Sequence, residues 1–213
     1  MFALPNALTI LRIVLVPVFA IAFVMPGDAA RLVAFAVFAL AGISDWLDGF
    51  AARKLKAGSD FGRMLDPIAD KVLVAVALMM LVAEGSFRRY NPATGDSVFS
   101  LLRLVPALVI LAREILVSGL REFLAGTRVS VPVTAIAKFK TGVQMVAIAV
   151  MILTPVAYDF FPGIPSVTYE AAGYVLLWVA AALTAFTGWI YFRNGLGHLR
   201  PGPTPEPTGL REI

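Results

Sequence analysis

Cysteine is absent from the 213-residue chain, and His198 is its only histidine. Disulfides, thiolate metal sites and cysteine nucleophiles are thereby excluded together. Charge is scarce as well. Only 15% of residues are charged and 59% are apolar, against about 25% and 45–50% in soluble domains. The mean hydropathy of +0.84 is spread along the whole length, so no single anchor beside a soluble domain accounts for it. The N-terminal apolar stretch lacks a basic leader and a small-residue cleavage site, and Arg12 interrupts it, so we expect it to be retained. No repeat or low-complexity tract competes with one polytopic helical domain.

What is present in abundance is continuous apolar sequence. A spanning helix needs about 20 mostly apolar residues, and six segments qualify: 7–26, 31–52, 66–84, 100–124, 134–157 and 170–192. Runs such as Val72–Leu81 are unbroken, whereas a membrane barrel alternates apolar and polar residues with period two. The expected fold is therefore all-α, with six transmembrane helices over residues 1–200. The tail 201–213, with Pro201, Pro203, Pro205 and Pro207, is expected to be a disordered cytoplasmic end.

Lysine and arginine in short loops set orientation. With a cytoplasmic N-terminus, Arg53, Lys54, Lys56, Arg63, Arg121, Arg128, Lys138, Lys140, Arg193 and Arg200 fall on the cytoplasmic side, and Arg31, Arg88, Arg89 and Arg103 on the other. Both termini are then cytoplasmic. The net charge of +4 and isoelectric point near 9.6 follow from these loops and from contact with anionic membrane lipids, and no nucleic-acid partner is expected. Trp46, Trp178 and Trp189 suit packing or interface positions, and His198 a solvated one.

The informative stretch places Asp45 and Asp48 near the end of the second segment and Asp66 and Asp70 at the start of the third. At spacings i, i+3 and i, i+4 each pair shares a helix face, and the short connection makes the two helices antiparallel neighbours. A carboxylate within a membrane helix costs about 2.5–3.5 kcal/mol, so four together demand neutralisation. Two divalent cations would cancel four charges. An all-oxygen donor set favours Mg²⁺, Mn²⁺ or Ca²⁺ over Zn²⁺, and a pair of such ions suits phosphoryl transfer. Gly49, Ala52 and Gly62 leave room beside the carboxylates, and Arg53 could meet a diphosphate. Taken singly, Asp66 before Pro67 also reads as a helix cap, Gly49 and Ala52 as packing residues, and Arg53 as a topology charge.

Asp45, Asp48, Gly49, Ala52, Arg53, Gly62, Asp66 and Asp70 match every position and spacing of the signature of the CDP-alcohol phosphotransferase family, which the chain therefore resembles. The resemblance implies that a CDP-linked lipid binds with its diphosphate on two divalent cations, Mg²⁺ or Mn²⁺, held by the four aspartates. An acceptor alcohol then attacks the β-phosphorus and CMP leaves. It further implies Asp70 as general base, Gly49, Ala52, Arg53 and Gly62 at the CDP moiety, and a homodimer in a bacterial cytoplasmic membrane.

Three further stretches, Asn6–Arg12, Ala112–Glu122 and Lys138–Thr141 with Gln144 and Met145, resemble the phosphatidylglycerophosphate synthase branch. That branch joins CDP-diacylglycerol to sn-glycerol 3-phosphate. A phosphate dianion in a membrane cavity needs cationic partners, and Arg113, Arg121, Lys138 and Lys140 are the candidates, with Glu114 and Glu122 as structural partners of the arginines. Lys138, Lys140 and Arg121 also read as topology charges. Asn6, Thr9 and Arg12 are candidate site residues from the first segment. Rival readings are the same chemistry on inositol phosphate, serine or phosphatidylglycerol, a divalent-metal transporter, and a non-enzymatic lipid-binding scaffold.

Overall fold

A computed structural model describes residues 4–55, 60–90, 97–126, 135–160 and 162–198, although the side chains of 4–6, 8, 45–55, 60–64, 66, 67, 70, 89, 90, 97–99, 125, 126, 135–138, 166 and 194–198 lie outside that description. Six long helices occupy the six apolar segments: α1 (Leu4–Val24), α2 (Asp28–Leu55), α3 (Asp60–Glu84), α4 (Leu101–Gly126), α5 (Ala135–Leu153) and α7 (Ser166–His198). The all-α expectation holds apart from one antiparallel hairpin between α3 and α4, where β1 (Arg88–Tyr90) pairs with β2 (Ser97–Phe99), Arg88 opposite Phe99. Among the described residues one helix, Val167–Arg193, is long and apolar enough to cross a membrane, while Thr9–Val24 and Phe139–Leu153 are shorter apolar helices.

Local chemistry explains where helices end. Gly85 follows α3 at φ 96°, a left-handed conformation that glycine adopts without steric penalty. From there Gly85 N donates to Val82 O and Ser86 N to Leu81 O, both at 3.1 Å, closing the terminal carbonyls of α3 in a Schellman cap. The fifth apolar segment was expected to run to residue 157, but α5 stops at Leu153 and a separate single turn, α6 (Ala157–Phe160), follows. Pro155 is the reason. It has no N–H and its ring clashes with the carbonyl four residues back, so apolar composition there does not extend the helix.

Pro106 lies inside α4 and likewise cannot donate to the carbonyl of Leu102. Trp178 of α7 supplies the missing donor, its Nε1 lying 3.1 Å from Leu102 O. A backbone defect in α4 thus becomes a tie to α7. Helix α7 packs on α4 and α5, α1 on α2 and α3, and α2 on α5. The centre is filled by Phe19, Phe38, Leu81, Ile110, Ile148 and Leu177, all essentially inaccessible, with the Phe19 ring tilted against Phe38 at 5.8 Å. At two crossings methionine side chains fill the space left by glycine. A Cβ on Gly42 would lie 2.5 Å from the Met145 methyl, and one on Gly173 2.7 Å from the Met151 sulfur.

The end of the bundle formed by the N-termini of α2, α4 and α7 and the C-terminus of α3 is tied by ion pairs. Arg31 of α2 pairs with Glu84 of α3 and lies over the Phe23 ring, 4.1 Å from its centroid. Arg103 of α4 reaches Glu170 of α7 at 2.5 Å, the Arg88 carbonyl at 3.0 Å and the Tyr174 hydroxyl at 3.3 Å. Tyr174 in turn donates to the Ser86 carbonyl. This cluster fastens the hairpin base to α4 and α7. Outside the bundle, large apolar side chains face outward on every long helix, among them Ile21, Ile43, Met79, Leu116, Val146 and Trp189.

Candidate active site

The opposite end carries the aspartates. The backbone of α2 holds Asp45 and Asp48 three residues apart near its C-terminus, and that of α3 holds Asp66 and Asp70 four residues apart in its first half. Each pair thus occupies one turn of one helix. Their side chains, with those of Gly49, Ala52, Arg53 and Gly62, lie outside the described residues, as do the side chains of Asn6 and Lys138. Among the side chains that are described, no group of three or more His, Cys, Asp or Glu is arranged to hold a metal ion.

Beside this end, α4 and α5 bring a second charged group together. Glu114 Oε1 accepts from Arg113 Nη1 at 3.1 Å and from Lys140 Nζ, so one carboxylate joins a cation of its own helix to one 26 residues away. All three are largely withdrawn from solvent, with side-chain exposures of 12% for Arg113, 13% for Glu114 and 4% for Lys140. A buried pair needs such hydrogen-bonded geometry to offset desolvation. The trio carries a net charge of +1.

Arg113 is held from a third side by α7. Its Nη2 donates to Thr187 Oγ1 at 3.2 Å, and Thr187 also donates to the Leu183 carbonyl at 2.9 Å. Gly188 admits the arginine stem, for a Cβ there would lie 2.8 Å from Arg113 Cγ. Arg113 Nε, Thr184 Oγ1 and Gln144 Oε1 are buried without a hydrogen-bond partner among the described residues.

A small cleft lies between these helices: Lys71 and Val74 of α3, Glu114 of α4, and Thr141 and Gln144 of α5 line it. Lys71 directly follows Asp70 in sequence. The cleft therefore reaches from the aspartate helix to the carboxylate that organises Arg113 and Lys140. Thr9 and Arg12, one turn apart on α1, are both about 1% exposed. Arg121 lies two turns beyond Arg113, is exposed, and makes no ion pair among the described residues; Glu122 is exposed beside it.

Sequence reasoning named Arg113, Lys140 and Glu114 but passed over Thr187, Gly188 and Lys71, and met Thr141 and Gln144 only within a resemblance. A signal for the α7 pair exists: Thr184, Thr187 and Gly188 sit at i, i+3 and i+4, a stripe of small residues that admits a neighbouring helix closely. The pair of glycines Gly188 and Gly119 gives a test. Replacing glycine by alanine in a helix gains about 1 kcal/mol, whereas overpacking costs about 1–3 kcal/mol. Nothing lies within 4 Å of a Cβ at Gly119. Thermal unfolding should show Gly119→Ala stabilised by about 1 kcal/mol, and Gly188→Ala neutral or destabilised because Arg113 must move.

A family model for CDP-alcohol phosphatidyltransferase matches residues 2–186. Among curated proteins, one from Rickettsia felis is 43% identical over 190 residues, covering 89% of this chain and 93% of its own. One from Salmonella typhimurium is 40% identical over 200 residues, with 93% and 97% covered, and one from Pseudomonas fluorescens 37% identical over 200 residues, with 92% of each covered. All three are named CDP-diacylglycerol--glycerol-3-phosphate 3-phosphatidyltransferase. Thr187 and Gly188 fall just beyond the matched segment.

Proposed function

Because this chain belongs to the CDP-alcohol phosphatidyltransferase family, we propose that a phosphatidyl group passes from CDP-diacylglycerol to sn-glycerol 3-phosphate at the end of the bundle where the cleft between α3 and the Arg113–Glu114–Lys140 group lies beside the aspartates. The protein is a transferase of phospholipid biosynthesis, as its relatives' names state for them across nine-tenths of the chain. The observation that carries the site assignment is the cleft, which puts Lys71, next to Asp70, and Glu114 on one wall-to-wall space.

The reaction needs three things from these residues. The acceptor hydroxyl must lose its proton, and Asp70 takes it. The deprotonating oxygen forms a bond to the β-phosphorus while the bond from that phosphorus to the CMP oxygen breaks, so phosphatidylglycerol phosphate and CMP are the products. The acceptor phosphate must be held against the helix ends, and Arg113 and Lys140, held in place by Glu114, are the cations that meet it. Arg121 and Lys138 supply further positive charge on approach, and Asn6, Thr9 and Arg12 close the site from α1. Gly49, Ala52, Arg53 and Gly62 hold and make room for the CDP moiety.

Asp45, Asp48, Asp66 and Asp70 suit two divalent cations, Mg²⁺ or Mn²⁺, since the set offers only hard oxygen donors and four charges to balance. Bound there, such ions supply electrostatic stabilisation to the diphosphate oxygens. The protein is a homodimer in the bacterial cytoplasmic membrane, with six spans, both termini and the active site on the cytoplasmic side. The outward apolar surface supports the membrane placement.

The test is incorporation of labelled glycerol 3-phosphate into lipid by the purified protein, with serine, inositol phosphate and phosphatidylglycerol as competing acceptors. Incorporation unaffected by the competitors is expected. Label entering lipid only from a competitor would reassign the acceptor.

A further inference from the structure

Gln144 is 2% exposed and lines the cleft, and its side-chain carbonyl oxygen is buried with no hydrogen-bond partner among the described residues. A buried amide oxygen left without a donor forfeits its hydration for nothing, so native structures rarely keep one unless something else supplies the donor. The neighbours on the cleft wall are an apolar side chain, Val74, the carboxylate Glu114, already shared between two cations, and Lys71 and Thr141.

Position and chemistry narrow the missing donor. Gln144 follows Lys140 by four residues on α5, on the same face and about 6 Å further along the axis. An acceptor phosphate at Lys140 is largely dianionic at neutral pH and is a poor donor to a carbonyl. A hydroxyl one turn deeper does. Glycerol 3-phosphate has two hydroxyls, of which the C1 hydroxyl reacts and gives its proton to Asp70. The C2 hydroxyl is left to be recognised.

We propose that Gln144 Oε1 accepts a hydrogen bond from the C2 hydroxyl of the acceptor, making Gln144 a specificity-determining residue that selects alcohols with a second hydroxyl beside the reacting one. This rests on the reading of function above. It adds what the cationic group cannot provide, since Arg113 and Lys140 would bind any phosphate monoester equally well. A site built to hydrogen-bond a substrate hydroxyl discriminates strongly against the analogue that lacks it, because its own buried polar atom is then left bare.

The experiment compares sn-glycerol 3-phosphate with 3-hydroxypropyl phosphate, which lacks only the C2 hydroxyl, as acceptors for the full-length protein and for Gln144→Met, a replacement of similar length without the carbonyl. The wild type should favour glycerol 3-phosphate in kcat/KM by about tenfold or more, the ratio given by one hydrogen bond and its unsatisfied partner. In Gln144→Met the two acceptors should fall within about twofold of each other, through loss with glycerol 3-phosphate, while the KM for CDP-diacylglycerol stays put. Retention of the wild-type ratio by Gln144→Met would overturn the assignment. So would a wild type indifferent to the C2 hydroxyl, an outcome that does not depend on any variant folding. A wild type active on neither phosphate but on serine or inositol phosphate would instead overturn the functional reading on which the assignment rests.

Discussion

Asp70→Asn should reduce CMP release from CDP-diacylglycerol and glycerol 3-phosphate by about 10²–10⁴-fold, the usual contribution of a positioned general base. Asparagine keeps the size and one oxygen of aspartate but cannot take a proton, so turnover should fall further than binding, although binding of CDP-diacylglycerol weakens too because one of the four carboxylate charges is lost. The signature spacing locates this residue: Asp70 follows Asp66 by one turn of α3 and precedes Lys71, which lines the cleft. Equilibrium binding of CDP-diacylglycerol together with single-turnover CMP release separates the two effects. If Asp70→Asn turned over within a few-fold of wild type, the proton would have another destination and the base would have to be sought elsewhere in the cleft.

The second large effect is structural. In Glu114→Ala, Arg113 and Lys140 would remain buried with their shared carboxylate gone, and breaking a buried pair in this way costs about 3–5 kcal/mol. For a chain of this size that lowers the midpoint of thermal unfolding by on the order of 10 °C. Glu114→Gln should lose less, since an amide oxygen still accepts from one of the two donors. An anion at free concentration c that binds the folded state stabilises it by RT ln(1 + c/Kd), so tighter binding gives the larger shift at a given concentration. Glycerol 3-phosphate should therefore raise the midpoint of Glu114→Ala more than that of the wild type, by supplying the charge the variant lacks. Equal shifts in both proteins would mean that Arg113 and Lys140 hold the bundle together without meeting the acceptor.

Much of the helical layout was legible because each long helix is a local consequence of a continuous apolar run. Pro155 split the end of the fifth segment, whereas the third ended at residue 84 as expected, with Gly85 capping α3 ahead of a hairpin whose strands are three residues each. Pairing of helices was not legible in the same way. That Trp178 caps the carbonyl exposed by Pro106, or that Gly188 leaves space for Arg113, depends on α7 lying against α4, and no local pattern dictates it. The aspartate signature was readable because both pairs lie within 26 consecutive positions, 45–70. The Glu114–Lys140 bridge spans two helices joined by a longer connection, so the sequence named its members without showing that one carboxylate holds both cations.

Metal-dependent CMP release tests the account most directly. Purified protein is stripped with a chelator, supplied with CDP-diacylglycerol, and titrated with Mg²⁺ or Mn²⁺ with and without glycerol 3-phosphate. CMP should appear only when both metal and acceptor are present, in equal amount to the phosphatidylglycerol phosphate formed. CMP release that persists in the stripped protein, or that proceeds at the full rate without acceptor, would contradict a site in which four aspartates hold the cations and Asp70 deprotonates the attacking alcohol.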